Sequence, residues 1–490
     1  MRIFVAFIFV LIFMESSFTY SLHSNNITIS IDCNKIDGEI KIFGDINAGP
    51  LPIHYVKNGV ELTQQYNQIG INFVRTHDFY GPTDISNIFP DWNASVDDES
   101  SYNFTESDKV INSIINGGYH VFYRLGESAN NNRLRQPPKN FTKWAEICKH
   151  LVMHYNDGWN NGYHYNIKYW EIWNEPDLKG FWNGTVYQYY KLYSITARIL
   201  KSYNSSIKVG GPCTSSIYNE NFTKKFLEYI VKNKVPIDFY SWHMYTSNPY
   251  EIYKASKYIR NLLDDYGLKN CENINSEWNI DILSPQRDKD NAKNAAFTAC
   301  CLTLFQDANL SHAFRYRGTQ DNNWLMKLLG FDLSLFTYDG KYKTPALVYL
   351  AMNYMKDNIR LSIHSNISNG ITCLAGISKD KTNVSIILSN YEAKNSLCIL
   401  NITNISNDYR FIHYLIDDSH HLQIIENKTF NGQIPIAVYH NSMHFIRLTN
   451  SKSIPKEGPS VASIPFLLRL PFLDPIFKII GIILLFWLFG

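Results

Sequence analysis

The chain is short of charge. Asp, Glu, Lys and Arg make up 18% of its 490 residues and nearly cancel, leaving a net +2; soluble domains usually carry roughly 25%. No long basic run stands out, so nucleic acid is not indicated as a partner. Cysteine is sparse at eight residues. No CxxC pair occurs, which excludes a zinc ribbon or a thioredoxin-type motif, and at this density disulfides cannot be the main scaffold. No Gly-rich phosphate turn follows an early strand, which counts against a doubly wound nucleotide-binding sheet. Apolar material is plentiful: 45% of residues are hydrophobic, with 33 Tyr and 10 Trp. That excludes a mainly disordered chain. The aromatic share suits stacking on sugars, although packing alone explains most of it.

Both ends carry processing signals. Arg2 precedes an unbroken apolar run at 3–14, too short to span a bilayer but suited to a signal-peptide core; residues 1–22 are assigned as signal peptide. Thirteen N-x-[ST] sequons, from Asn26 to Asn427, favour the secretory pathway together with it. Extracellular, cell-surface and lysosomal destinations all fit. The C-terminal tail, 476–490, is apolar with Lys478 its only charge. Ser460, Val461 and Ala462 upstream give it the look of a glycolipid-anchor signal, while Phe466, Leu467 and Leu468 make a poor polar spacer. A short tail anchor or interfacial helix is the alternative, and membrane attachment through this tail is expected. Among the cysteines, Cys373 with Cys398 is the favoured bridge.

From 40 to 357 short apolar strands alternate with helical stretches. Strands are read at 40–46, 71–76, 119–125, 167–173, 207–211, 237–243, 272–277 and 311–316. Helical periodicity fits near 56–69, 106–117, 141–155, 185–203, 221–233, 249–266, 289–308 and 342–356. Eight of each predict a (β/α)8 TIM barrel. From 358 to 450 the texture changes to short strands with turns every 8–12 residues, predicting a C-terminal β-sandwich domain. The opening segment 23–39 is a candidate extra strand for it. The Pro- and Gly-containing stretch 451–475 reads as a linker.

Two segments carry the chemistry. KYWEIWNEPD (168–177) is an apolar strand ending in Asn174 and Glu175, where Pro176 stops the ladder. NINSEWN (273–279) is another short strand, ending in Glu277 and Trp278. These are the fourth and seventh strands, which face each other across the mouth of a barrel, and active sites form at the C-terminal strand ends. A carboxylate flanked by Trp170 and Trp173 is partly desolvated, which favours its protonated form. Two such carboxylates flanking a bond are what glycoside hydrolysis requires. His420 and His421 with Asp417 and Asp418 look metal-like, but lie in the β domain and read as a solvated loop. No metal and no organic cofactor is called for.

These motifs resemble the retaining clan of barrel glycosidases, and more narrowly glycoside hydrolase family 39, with its β-xylosidases and α-L-iduronidases. FVRTHDFYGPTDIS (73–86), WEIWNEPDLKGFW (170–182), VGGPCTS (209–215), DFYSWHMYTS (238–247) and LFTYDGKYKTPALVYLAMNYM (335–355) carry the likeness, over about 40–450. The resemblance implies Glu175 as acid/base, Glu277 as nucleophile and Asn174 as the partner of the sugar 2-hydroxyl. It implies that His77, His243 and Tyr245 line the sugar subsite. Trp182 and Trp278 are candidates for stacking on a sugar, and Arg75 for an ion pair at the barrel mouth.

The expected function is that of a retaining exo-glycosidase acting on an oligosaccharide or polysaccharide. Iduronidase-type members of the family are expected to have basic residues just after the strand-six histidine. Met244 and Tyr245 stand there, which favours a β-xyloside or related neutral β-glycoside. Arg315 and Arg317 close the eighth strand and could instead clamp a uronide carboxylate, the α-L-iduronidase-like alternative. A non-catalytic glycan-binding surface protein is the rival of another class.

Overall fold

The computed structural model describes residues 26–52, 58–76, 81–128, 135–319, 324–405, 408–450, 455–464, 468 and 471–489. The signal-peptide assignment, 1–22, falls outside these residues. The first strand, β1 (Ile27–Glu39), belongs to a sheet that only the last strands complete. The next eight are β2 (Asp45–Asn47), β3 (Phe73–Arg75), β4 (His120–Leu125), β5 (Tyr169–Ile172), β6 (Lys208–Thr214), β7 (Phe239–Tyr245), β8 (Glu272–Asn279) and β9 (His312–Arg315). Each pairs in parallel with the next, and β9 returns to β2 through Asp45–Phe314 and Ile46–Arg315, closing the barrel. Glu175 follows its fourth strand, and Glu277 lies on its seventh.

The crossover helices start and stop on local signals. Asn140 Oδ1 accepts from the Lys143 N–H at the start of Phe141–Asp157, and Gly158, at φ 78°, ends that helix. Thr185 and Gln188 form a reciprocal capping box on Val186–Tyr203. Asn248 caps Pro249–Asp265, whose proline occupies the first turn, where no N–H is missed.

The pleat decides what fills the barrel. Phe122, Tyr169, Phe239, Ile274 and Phe314 form one apolar cluster, with Phe73 packed against it. Two residues further along two of these strands, toward the C-terminal ends, the side chains are Arg75 and Glu171, both buried. With an apolar layer beneath them they must satisfy one another. Neighbours of the cluster residues point the opposite way, into the helix layer.

The remaining strands are β10 (Ile359–Ser365), β11 (Ile371–Ile377), β12 (Asn383–Asn390), β13 (Ser396–Thr403), β14 (Arg410–Ile416), β15 (His421–Thr429), β16 (Gln433–Val438) and β17 (Ser442–Thr449). The sandwich is a single nine-stranded sheet, order β15-β14-β17-β12-β11-β10-β1-β13-β16, curled over its own core. That core includes Ile29, Ile31, Ile386, Phe411 and Ile446. Only the β1–β13 pair is parallel. Arg360 binds Asp307 with two hydrogen bonds of 2.7 and 2.9 Å, and the Tyr391 O–H donates to the Ser247 carbonyl at 2.7 Å. These contacts join the sheet to the barrel.

The stretch read as a linker is not free. The Ala462 N–H donates to the Tyr342 carbonyl at 2.8 Å. A C-terminal helix, Asp474–Phe489, follows, and Asp474 pairs with Arg287 at 2.7 Å. Among the described residues no helix is long and apolar enough to cross a membrane. All eight cysteines are thiols. Cys373 on β11 and Cys398 on β13 are separated in the sheet by β10 and β1, and the favoured bridge is not formed.

Candidate active site

Glu175 stands just past β5 on a turn that ordinary residues adopt reluctantly. Trp173 and Glu175 have φ of 75° and 43°, and Cys213, on the neighbouring β6, has 59°. Left-handed backbone costs a non-glycine residue on the order of 1–3 kcal/mol and gathers at functional sites. The Glu175 N–H donates to the Cys213 carbonyl at 2.9 Å, tying the turn to β6. Glu277 lies on β8, with its side chain 6% exposed against 12% for Glu175.

Each carboxylate has its own holder. The buried His243 approaches Glu175 Oε1 through Nδ1 at 2.7 Å. Glu277 accepts from Arg75 Nη1 at 2.8 Å and from the Tyr245 O–H at 2.6 Å. Nδ1 of His243 is also 3.5 Å from Glu277 Oε2. Glu175, His243 and Glu277 bring donor atoms within 4.8 Å of one another. Arg75, Tyr245 and His243 already face these carboxylates, so the set is a hydrogen-bonded acid pair with its charge compensated.

Arg75 is the hub. It donates to Glu171 Oε2 at 2.7 Å, Asn47 Oδ1 at 2.9 Å, Asn174 Oδ1 at 2.8 Å and Cys213 Sγ at 3.1 Å, besides Glu277. Burial works against its charge, but Glu171 and Glu277 outweigh that and hold its pKa well above the ordinary value. The hold on Oδ1 fixes the orientation of the Asn174 amide. Burial also keeps His243 below its usual 6.5, Arg75 adding to this, so the imidazole is neutral at neutral pH. Burial, then Glu277, raise the Tyr245 phenol well above its ordinary value, so it stays a donor.

The structure brings Glu175, Glu277, Asn174, His243, Tyr245 and Arg75 together. His77 lies outside the described residues. Two candidates belong elsewhere. Arg315 follows Phe314, an inward residue of the apolar cluster, and so points outward. Its guanidinium lies 4.7 Å from the Trp278 ring and donates to Asn294 at 3.1 Å, in the helix layer. Trp278 is fully buried there, donating to the Ala313 carbonyl at 3.2 Å and meeting Phe305 edge-on at 5.0 Å. Both side chains are placed in the helix layer, away from the carboxylate pair. Arg317 remains near the mouth, its guanidinium 5.6 Å from the Tyr316 ring, which in turn packs edge-on against Tyr245 at 5.8 Å.

The flanking tryptophans pack against other rings. Trp170 stacks on Tyr123 at 4.9 Å, and Trp173 meets Trp182 at 5.0 Å. Four residues at the site escaped the sequence reading: Asn47, Glu171, Cys213 and Tyr316. Glu171 had a readable signal, an ionisable residue inside the apolar strand YWEIW, which needs a buried cation. Cys213 had none, being one of eight scattered cysteines.

A barrel with two carboxylates facing each other across the ends of opposite strands has the architecture of a glycoside hydrolase. The model of glycosyl hydrolases family 39 matches residues 31–343, and the chain belongs to that family. A β-xylosidase of Geobacillus stearothermophilus is 29% identical over 201 residues, which cover 37% of this chain and 37% of that relative. Among solved structures, a glucosidase from Croceicoccus marinus superposes with a TM-score of 0.77 at 22% identity, covering 88% of this chain and 100% of its own. A β-xylosidase from Caulobacter crescentus CB15 gives 0.69 at 17%, covering 86% and 99%.

Proposed function

We propose that this protein is a retaining exo-glycosidase for a neutral β-glycoside, with a β-xyloside the preferred substrate. The observation that carries this reading is the close, unequal pair: Glu175 against a neutral histidine, Glu277 against a guanidinium and a phenol, within 4.8 Å. Retaining pairs stand about 5–5.5 Å apart and inverting pairs roughly 6.5–9.5 Å. Two relatives named as β-xylosidases and one as a glucosidase support a neutral sugar. The position of Arg315 against Trp278 and Asn294 also supports a neutral sugar, since it leaves Arg317 alone of the two candidate carboxylate clamps near the mouth.

In the first step Glu175 gives its proton to the glycosidic oxygen while a Glu277 oxygen attacks the anomeric carbon. The C–O bond to the leaving group breaks, the alcohol departs, and a glycosyl ester remains on Glu277. In the second step Glu175, now a carboxylate, takes a proton from water as that water attacks the same carbon. The ester bond breaks and Glu277 is released as a carboxylate. The Arg75 charge and the Tyr245 hydroxyl keep Glu277 ionised as nucleophile and accept it back as leaving group.

The test is initial-rate hydrolysis of an aryl β-D-xyloside and an aryl α-L-iduronide by the wild type and by Glu277→Gln. The expected result is turnover of the xyloside that Glu277→Gln abolishes while sugar binding persists. Turnover of the iduronide instead would overturn the neutral-sugar reading. Binding without turnover in the wild type would favour a glycan-binding protein.

Export and membrane attachment belong to the same proposal. Asn93, Asn103, Asn183, Asn221 and Asn309 stand exposed in their sequons, which supports glycosylation. Ile476, Ile479, Ile480 and Ile483 are exposed along the C-terminal helix, which supports a helix lying in a membrane surface.

A further inference from the structure

Cys213 sits where no reacting atom needs it, yet it touches the machinery on three sides. Its sulfur is fully buried, 2.9 Å from His243 Nε2, 3.1 Å from Arg75 Nη2 and 3.4 Å from Asn174 Oδ1. Arg75 can only donate, so the sulfur accepts from it. Asn174 Oδ1 is already taken by Arg75 at 2.8 Å. Ser276 Oγ lies further off, at 3.6 Å. The nearest acceptor for the thiol proton is therefore Nε2 of His243.

We infer that Cys213 is a positioning residue that sets the tautomer of His243: its S–H donates to Nε2, so the one imidazole proton sits on Nδ1 and donates to Glu175 Oε1. The proposal rests on the glycosidase reading above. It supplies something that reading lacks, a reason for the acid's proton to face the substrate. With Nδ1–H fixed on Oε1, the proton of Glu175 must occupy the other oxygen and point at the leaving group. With the opposite tautomer, bare Nδ1 would accept that proton and turn it away. Burial favours the neutral forms of Cys213 and His243. The charged and titratable groups facing the imidazole are Glu175, Glu277, Arg75, Glu171, Asp177 and Cys213.

The direct test is ¹⁵N spectroscopy of the histidine-labelled wild type, with His243 assigned by its loss in His243→Gln. The proton is expected on Nδ1 at neutral pH, and a proton on Nε2 would overturn the proposal without touching the glycosidase reading. The kinetic test compares Cys213→Ala and Cys213→Ser on xylobiose, which needs acid assistance, and on 4-nitrophenyl β-D-xyloside, which needs little. The alanine variant should lose about tenfold in kcat/KM on xylobiose and no more than about twofold on the aryl substrate, with serine restoring most of the loss. Equal losses on both substrates would reduce Cys213 to a packing residue. If Cys213→Ala does not fold, the labelled wild type and Cys213→Ser still decide, since serine must keep the Nδ1–H form.

Discussion

Replacing Arg75 by methionine tests the construction of the site most severely. Arg75 is fully buried and bound at 2.7 Å to Glu171 and 2.8 Å to Glu277. Glu277 retains the Tyr245 hydroxyl when the guanidinium goes, whereas Glu171 has one oxygen on Arg75 and the other, Oε1, without a hydrogen-bond donor among the described residues. The variant therefore strands a fully buried carboxylate above an apolar layer. Removing one member of a buried ion pair costs about 3–5 kcal/mol, and the second severed carboxylate puts Arg75→Met at the upper end. The assay is guanidinium unfolding followed by tryptophan fluorescence. Adding Glu171→Gln should recover about 1–2 kcal/mol, because a neutral amide is cheaper to bury. The single variant unfolding within about 1 kcal/mol of wild type would refute the claim that Arg75 holds the layer together.

Three further outcomes follow from the same geometry. His413 and His444 share a 2.8 Å hydrogen bond inside the β sheet; burial pushes His413 down to about 4 and His444 well below 6.5. The unfolded chain thus takes up protons first: this stability is intact above pH 6.5 and lost as pH falls toward 4. Unfolding curves at pH 7 and pH 4 should differ by on the order of 3 kcal/mol from His413 alone, and a pH-independent midpoint would contradict the buried pair. Tyr245→Phe removes the 2.6 Å donor to Glu277 and should lower kcat by about 10–100-fold; an unchanged kcat would remove Tyr245 from the mechanism. Arg315→Gln should leave KM for a xyloside within about twofold, since its partners are Trp278 and Asn294; a tenfold rise would return Arg315 to the substrate site.

The barrel was legible because its signals are local. Each strand is a short apolar run followed by a helical stretch, some with a cap readable in the sequence, as at Thr185–Gln188; Glu175 follows its fourth strand and Glu277 lies on its seventh. What could not be read was which way a side chain points at a strand end. Glu277 and Trp278 are adjacent, and a register shift between Asn275 and Trp278 breaks simple alternation; nearness in sequence does not put the two side chains on one face. Arg315 shows the same effect, since the inward Phe314 turns its neighbour toward the helix layer. The nine-stranded sheet was only half legible. Its short strands show in the sequence, but the place of β1 between β10 and β13 depends on contacts more than 300 residues apart, as in Ile29–Ser365. Cys213 and Asn47 carry no sequence signal, because their roles come from what the barrel brings beside them.

The central claim is that Glu175 and Glu277 act by double displacement. The most direct measurement is proton NMR of the sugar released from an aryl β-D-xyloside in the first seconds of reaction, before mutarotation. The β-anomer appearing first is the expected result. The α-anomer appearing first would mean inversion, and would contradict the assignment of Glu277 as nucleophile.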